Sequence, residues 1–267
     1  VGFFRPHTPY VAPQEYFNLY PASNMPVVQG VKEDQADIPA PGLGSYKQEQ
    51  DKLTDDLRRQ ALQAYYASIS FMDAQVGRVV NALDRLGLAE NTIIVFTSDH
   101  GYHVGEHGLW QKMSLFEESA RVPLLIVAPG MTKGGAAKSP VGQIDLFPTL
   151  AELCNVKTTN SLQGQSLVPM LKDANTVGRG WAVTQVARGG GLNRATVTSD
   201  VGSTGDQFFG YSLRTPRWRY TEWDGGTAGV SYSGDYRVLT LGFPIEAVDG
   251  LDTRSALLSR ALDHFGL

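Results

Sequence analysis

The feature that most restricts what this chain can fold into is a change of period at Gly87. Before it, apolar residues fall at Ile69, Met72, Val76, Val79, Leu83 and Leu86, in alternating steps of three and four. That spacing makes one face of an amphipathic helix. After it, Ile93-Ile94-Val95-Phe96 is an unbroken apolar run, which reads as a buried strand of a parallel sheet. The helix is predicted over 51–86, with a start or restart at Thr54 and a C-cap at Gly87. A helix leading into a strand through a short loop is half of a βαβ unit, so the fold class is α/β.

The strand is followed by a polar turn, Ser98-Asp99-His100-Gly101, and ligands in open α/β sheets bind beyond the carboxyl ends of the strands. The stretch from Thr92 to Lys112 holds three of the five histidines and ends in a lysine. Asp99 and His100 offer one hard oxygen and one nitrogen, too few for calcium, which takes six to eight oxygen ligands. A rival reading uses His100, His103 and His107, spaced by three and four. On a helix they would share one face and could bind zinc with an open fourth position. Gly101, Gly105 and Gly108 argue against a helix there.

A second apolar run, Leu124 to Val127, ends at Pro129-Gly130 and predicts another buried strand. The opening VGFFRPH reads as the end of a buried strand, with His7 held extended between Pro6 and Pro9. Residues 11–50 are rich in Pro, Gly, Asn and Gln with no period. They read as a long surface loop, either lining a substrate cleft or a disordered excursion. A helix is expected from about Asp145 through Leu153, with Cys154 a buried residue near its end. From about Val177 the segments shorten. Tyr211–Arg214 and Trp218–Trp223 alternate as strands of an antiparallel sheet do. Residues 1–176 are therefore read as an α/β domain and 177–267 as a small α+β subdomain, with a helix expected at 253–264.

Composition narrows the partners. A net charge of −4 disfavours nucleic acid bound through phosphates, and no run is long enough to span a membrane. The single cysteine excludes an internal disulfide and a thiolate metal cluster. No N-x-[ST] acceptor is present, which leans away from a lysosomal glycoprotein.

Five pieces together, GFFRPHTPY at 2–10, YYASISFMDAQVGRVVNALDRLGL at 65–88, FTSDHG at 96–101, GEHGLWQK at 105–112 and RVPLLIVAPG at 121–130, resemble the sulfatase family of the alkaline-phosphatase-like superfamily. Within it they are most like iduronate-2-sulfatase and its bacterial relatives. The resemblance implies a mixed sheet with flanking helices and a small C-terminal antiparallel sheet. It implies hydrolysis of a sulfate ester, on a sugar, assisted by one calcium ion. Asp99 and His100 would complete the calcium site, and Lys112 and His7 would contact the sulfate. Tyr102 and His107 would reach the substrate. Periplasmic or secreted placement follows from the same likeness.

The family's nucleophile is a formylglycine made from Cys-x-Pro-Ser-Arg. Cys154 lies in Glu-Leu-Cys-Asn-Val, and the motif is absent. The expectation is that these residues are the C-terminal portion of a longer enzyme and do not turn over alone. The likeness fades after about Asp224, where a divergent tail or a shifted reading frame is expected. Two other functions stay open: a phosphodiesterase or phosphonate hydrolase using zinc or manganese, and a non-catalytic binding protein on the same fold.

Overall fold

The computed structural model describes residues 1–131, 134–158, 161–189 and 208–223, together with the backbone of 227–232. The helix expected at 253–264 and the divergent tail lie outside the described residues. The backbone divides into two compact units: residues 1–37, 45–112 and 117–132 form the first, and 38–44, 113–116 and 133–267 the second.

The first unit is built on one long helix. Short helices α1 (Gln14–Asn18) and α2 (Val31–Gln35) precede it, and α3 runs Asp55–Arg85. Thr54 caps α3 by accepting the Leu57 N–H on its hydroxyl. Gly87, at φ +66°, ends it. The Leu88 N–H donates to Leu83 O and the Gly87 N–H to Asp84 O, the paired bonds of a Schellman motif. The helix stands where its period predicts, but its deepest residues are Leu62, Ala67 and Ser68. Val79 and Leu86 of the stripe are exposed. The covering contacts come near the first half of α3: Tyr16 against Phe71, Tyr20 against Tyr66, and Tyr20 Oη to Ser70 Oγ at 2.7 Å.

Strand β1 (Ile94–Thr97) follows, then β2 (His103–Val104) and β3 (Trp110–Gln111). Helix α4 (Glu117–Ala120) leads to β4 (Leu124–Val127). Both long apolar runs are strands, but they pair antiparallel with each other, Ile94 opposite Val127 and Thr97 opposite Leu124. This corrects the parallel expectation, because an apolar run sets burial and not strand direction. Leu125 and Val127 are exposed at 55% and 49%, so β4 is covered on one side only. Residues 1–4 form no strand and are exposed; a strand needs a hydrogen-bonded neighbour, and none of the described strands pairs with them. Residues 11–50, expected as a long surface loop, are largely exposed and irregular but carry short elements: α1, α2 and 3₁₀ turns at Ala22–Asn24 and Ala40–Leu43, with a third, Gln48–Lys52, beginning in it.

The second unit contains α5 (Leu146–Leu153), α6 (Val168–Lys172) and the strands β5 (Ala182–Arg188), β6 (Phe208–Arg214), β7 (Trp218–Trp223) and β8 (Thr227–Tyr232). The strands form one antiparallel sheet in chain order, as the aromatic alternation predicts. Leu115, Val186 and Trp223 form its core. A side chain at Gly210 would come within 2.5 Å of the Trp223 ring, so only glycine fits opposite that indole. Cys154 is exposed at the end of α5, not buried, because the helix stops there and turns its last residue outward.

Among the described residues, Asp145 is a fully buried carboxylate, at 0% exposure. One carboxylate oxygen accepts from Gln165 N at 2.8 Å and from the Arg179 guanidinium; the other accepts from Gly142 N at 2.9 Å. Thr149 donates to the Asp145 carbonyl and accepts the Leu167 N–H at 2.9 Å. One residue thus satisfies the turn before α5 and ties it to the segment before α6.

Candidate active site

The loop after β1 is set by Gly101. Its N–H donates to Ser119 O at 2.8 Å. A Cβ there would lie 2.0 Å from Glu118 O and 2.9 Å from Arg121 O. Only glycine allows that approach, and the approach fixes Asp99 and His100 at the strand end.

Asp99 Oδ1 accepts from the His100 N–H at 3.1 Å and from Ser98 Oγ at 3.3 Å. Oδ2 faces His100 Nε2 at 3.5 Å, on a side chain 84% exposed. Slight burial raises the Asp99 pKa, but neighbouring His100 and the two donors outweigh it and the net shift is downward. His100 Nδ1 lies 2.7 Å from Gly101 O. A carbonyl only accepts, so Nδ1 carries a proton. Nε2 then has two states: protonated, it forms an ion pair with Asp99 Oδ2 at 3.5 Å; unprotonated, it and Oδ2 are two acceptors that a cation satisfies together.

His7 repeats the device. Its Nδ1 lies 2.8 Å from Thr8 O, so Nδ1 donates there and Nε2 is left to accept from Lys112 Nζ at 3.2 Å. His7 is not extended as expected. Its N–H closes a turn onto Phe4 O at 3.0 Å with Arg5 and Pro6 at the two central positions, and the chain bends at His7 itself. The two residues of this pair are 105 positions apart.

Tyr10 donates to Tyr102 Oη at 2.8 Å and so joins the His7 segment to the residue two beyond His100. Tyr65 stacks on Tyr102 with ring centroids 5.5 Å apart. Burial first, then the Tyr102 contact, raises the Tyr10 pKa; burial and Tyr102 push Tyr65 up to about 12, and burial raises Tyr102. All three stay neutral phenols and act as a rigid brace. Neither Tyr10 nor Tyr65 carries a sequence signal beyond being aromatic.

His103 is fully buried on β2. Burial pushes its imidazole down to about 4, and nearby His107 acts in the same direction. The His107 Nδ1–H donates to Asp34 Oδ2 at 2.9 Å, and Nε2 lies 3.8 Å from Glu118 Oε2. The three-histidine zinc reading is corrected here. His103 is on a strand and His107 in a 3₁₀ turn at φ +55°, because Gly105 and Gly108 take positive φ and break any helix. Among the described residues, no group of three or more His, Cys, Asp or Glu is placed to hold a metal.

The two units carry the mixed α/β fold of the alkaline-phosphatase-like hydrolases. The solved structure of a phosphonate monoester hydrolase from Silicibacter pomeroyi superposes with a TM-score of 0.73 at 24% identity, covering 98% of this chain and 54% of that one. The sequence model of the sulfatase family matches residues 1–156, and the chain belongs to that family. A sulfatase of Formosa agariphila is 34% identical over 189 residues, 69% of this chain and 37% of that protein. Iduronate 2-sulfatase of Mus musculus is 38% identical over 161 residues, 55% of this chain and 28% of that protein. The chain thus spans about a third of the length of these curated relatives. Among the described residues, no helix is long and apolar enough to cross a membrane.

Proposed function

We propose that the protein is a sulfuric ester hydrolase acting on a sulfated sugar, with Lys112 and His7 on the sulfate and Asp99 and His100 on a calcium ion. The observation that carries this is the pairing of Lys112 with His7 at 3.2 Å. It sets an ammonium donor and an imidazole lone pair side by side on a chain of this family.

Lys112 Nζ–H groups not given to His7 can meet a sulfate oxygen and the charge that grows on the leaving oxygen, where such stabilisation is worth most. His7 Nε2 accepts from Lys112 and so orients the ammonium; with Nδ1 committed to Thr8 O, a proton from this histidine to the leaving oxygen would come from Nε2 of the imidazolium, in which the lone pair no longer accepts from Lys112. Asp99 Oδ2 and His100 Nε2 fit two positions of a calcium shell whose other ligands this pair does not provide. A bound calcium would act as a Lewis acid on one sulfate oxygen. Cys154, exposed and without a following Pro or Arg, does not fit the formylglycine role, and no step is assigned to it.

The test is hydrolysis by the intact protein of an aryl sulfate and a sulfated monosaccharide against a phosphonate monoester, with calcium or zinc added. Faster sulfate hydrolysis, dependent on calcium, is expected. Hydrolysis of the phosphonate alone, with zinc, would replace this reading with the phosphonate hydrolase one.

A further inference from the structure

The loop that presents Lys112 is strained. Among the described residues, non-glycine residues with positive φ are His107 at +55°, Gln111 at +129°, Met113 at +70° and Asn155 at +52°. Three of these four lie within six positions of Lys112. Such conformations persist only where the surroundings over-determine them.

The surroundings come from α2 and Gln50. Gln35 Nε2 donates to the carbonyl of strained His107 at 2.7 Å, and Asp34 Oδ2 holds the His107 ring at 2.9 Å. Gln50 Nε2 donates to Trp110 O at 2.9 Å, on the peptide that enters strained Gln111. Helix α2 lies so close that a Cβ on Gly108 would sit 2.6 Å from Val31 Cγ1 and from Gln35 Nε2. Each polar contact therefore lands on a strained residue or on the peptide beside one.

We propose that helix α2 (Val31–Gln35) together with Gln50 is a clamp that fixes the Lys112 loop, with Asp34, Gln35 and Gln50 as positioning residues. None of them needs to touch substrate. Gln35 and Gln50 hold the backbone of His107 and Trp110, Asp34 holds the His107 ring, and the backbone holds Lys112 against His7. The effect on catalysis rests on Lys112 being the sulfate contact; the effect on the loop does not.

The test is made in the intact protein with a Gln35→Ala/Gln50→Ala double variant, and with Asp34→Ala beside Asp34→Asn. The asparagine keeps an oxygen that accepts from His107 Nδ1. Two readouts are taken: amide exchange of Gly105, Gly108 and Leu109 against that of α3, and kcat against KM on a sulfate ester. The clamp predicts loop exchange faster by about tenfold or more in the double variant with α3 unchanged. It predicts kcat lower by about 10- to 100-fold with KM within about threefold, as for a misplaced catalytic group. Asp34→Asn should protect the loop better than Asp34→Ala. Unchanged loop exchange, or exchange raised equally in α3, would overturn the clamp. Faster loop exchange with unchanged kcat would overturn its positioning of Lys112. A wild-type protein that hydrolyses no sulfate ester, yet shows the loop response, would sink the hydrolase reading and support the clamp.

Discussion

Asp99 and Asp145 are the same chemical group at the end of a strand and at the start of a helix, and the structure uses them in opposite ways. Asp145 is fully buried, and both of its oxygens are taken by an arginine and two backbone N–H groups. Asp99 is mostly exposed and leaves Oδ2 3.5 Å from His100 Nε2. A carboxylate with its acceptor capacity filled by its own chain is structure. One with an oxygen facing only an imidazole nitrogen keeps capacity to spare, which the proposed calcium role would use. Spare capacity, not burial alone, separates the two roles.

The comparison breaks most visibly by truncating each carboxylate. Asp145→Ala leaves the Arg179 charge and two N–H groups without their acceptor, and should lower unfolding stability by about 3–5 kcal/mol in denaturant titration. Asp99→Ala should change stability by roughly 0.5 kcal/mol or less, yet reduce sulfate-ester hydrolysis by at least about 100-fold. Equal stability losses would erase the distinction. Lys112→Ala extends the test to the other half of the site. Loss of one preorganised donor to the developing charge should cost about 10²- to 10³-fold in kcat, with the melting temperature close to wild type.

His103 offers a pH test of burial within the same loop. Its folded pKa, about 4, lies below the ordinary histidine value of about 6.5. The unfolded chain binds the proton more tightly, so the stabilising contribution is complete above pH 6.5 and is lost as pH falls through about 4. The loss amounts to roughly 3 kcal/mol. Unfolding titrations at stepped pH should show this decline, and a His103→Leu variant should show a flatter one whatever its absolute stability. The smallest effect is at the α3 cap, where Thr54→Ala should cost about 1 kcal/mol and leave hydrolysis unchanged.

Local chemistry was legible in the sequence, and distant pairing was not. The α3 boundaries follow from Thr54, the three-and-four stripe and Gly87, all of which act within a turn or two. The strands β1 and β4 follow from their apolar runs, but a run is silent about direction, and they proved antiparallel to each other. Asp145 could be read as a helix start. Its bond to Arg179, 34 residues away, has no local signature. His7 and Lys112 were singled out through family resemblance, since nothing in the spacing of residues 105 apart foretells contact. The clamp residues Asp34, Gln35 and Gln50 sit in a stretch with no period, and their partners are backbone carbonyls, which no sequence pattern marks.

The most direct test of the central claim is an anomalous-scattering map from crystals of the intact protein grown with calcium and inorganic sulfate. The account predicts a calcium peak between Asp99 Oδ2 and His100 Nε2, with oxygen ligands at about 2.3–2.6 Å, and a sulfate held by Lys112 and His7. A calcium peak on other residues, with the sulfate away from Lys112, would contradict it.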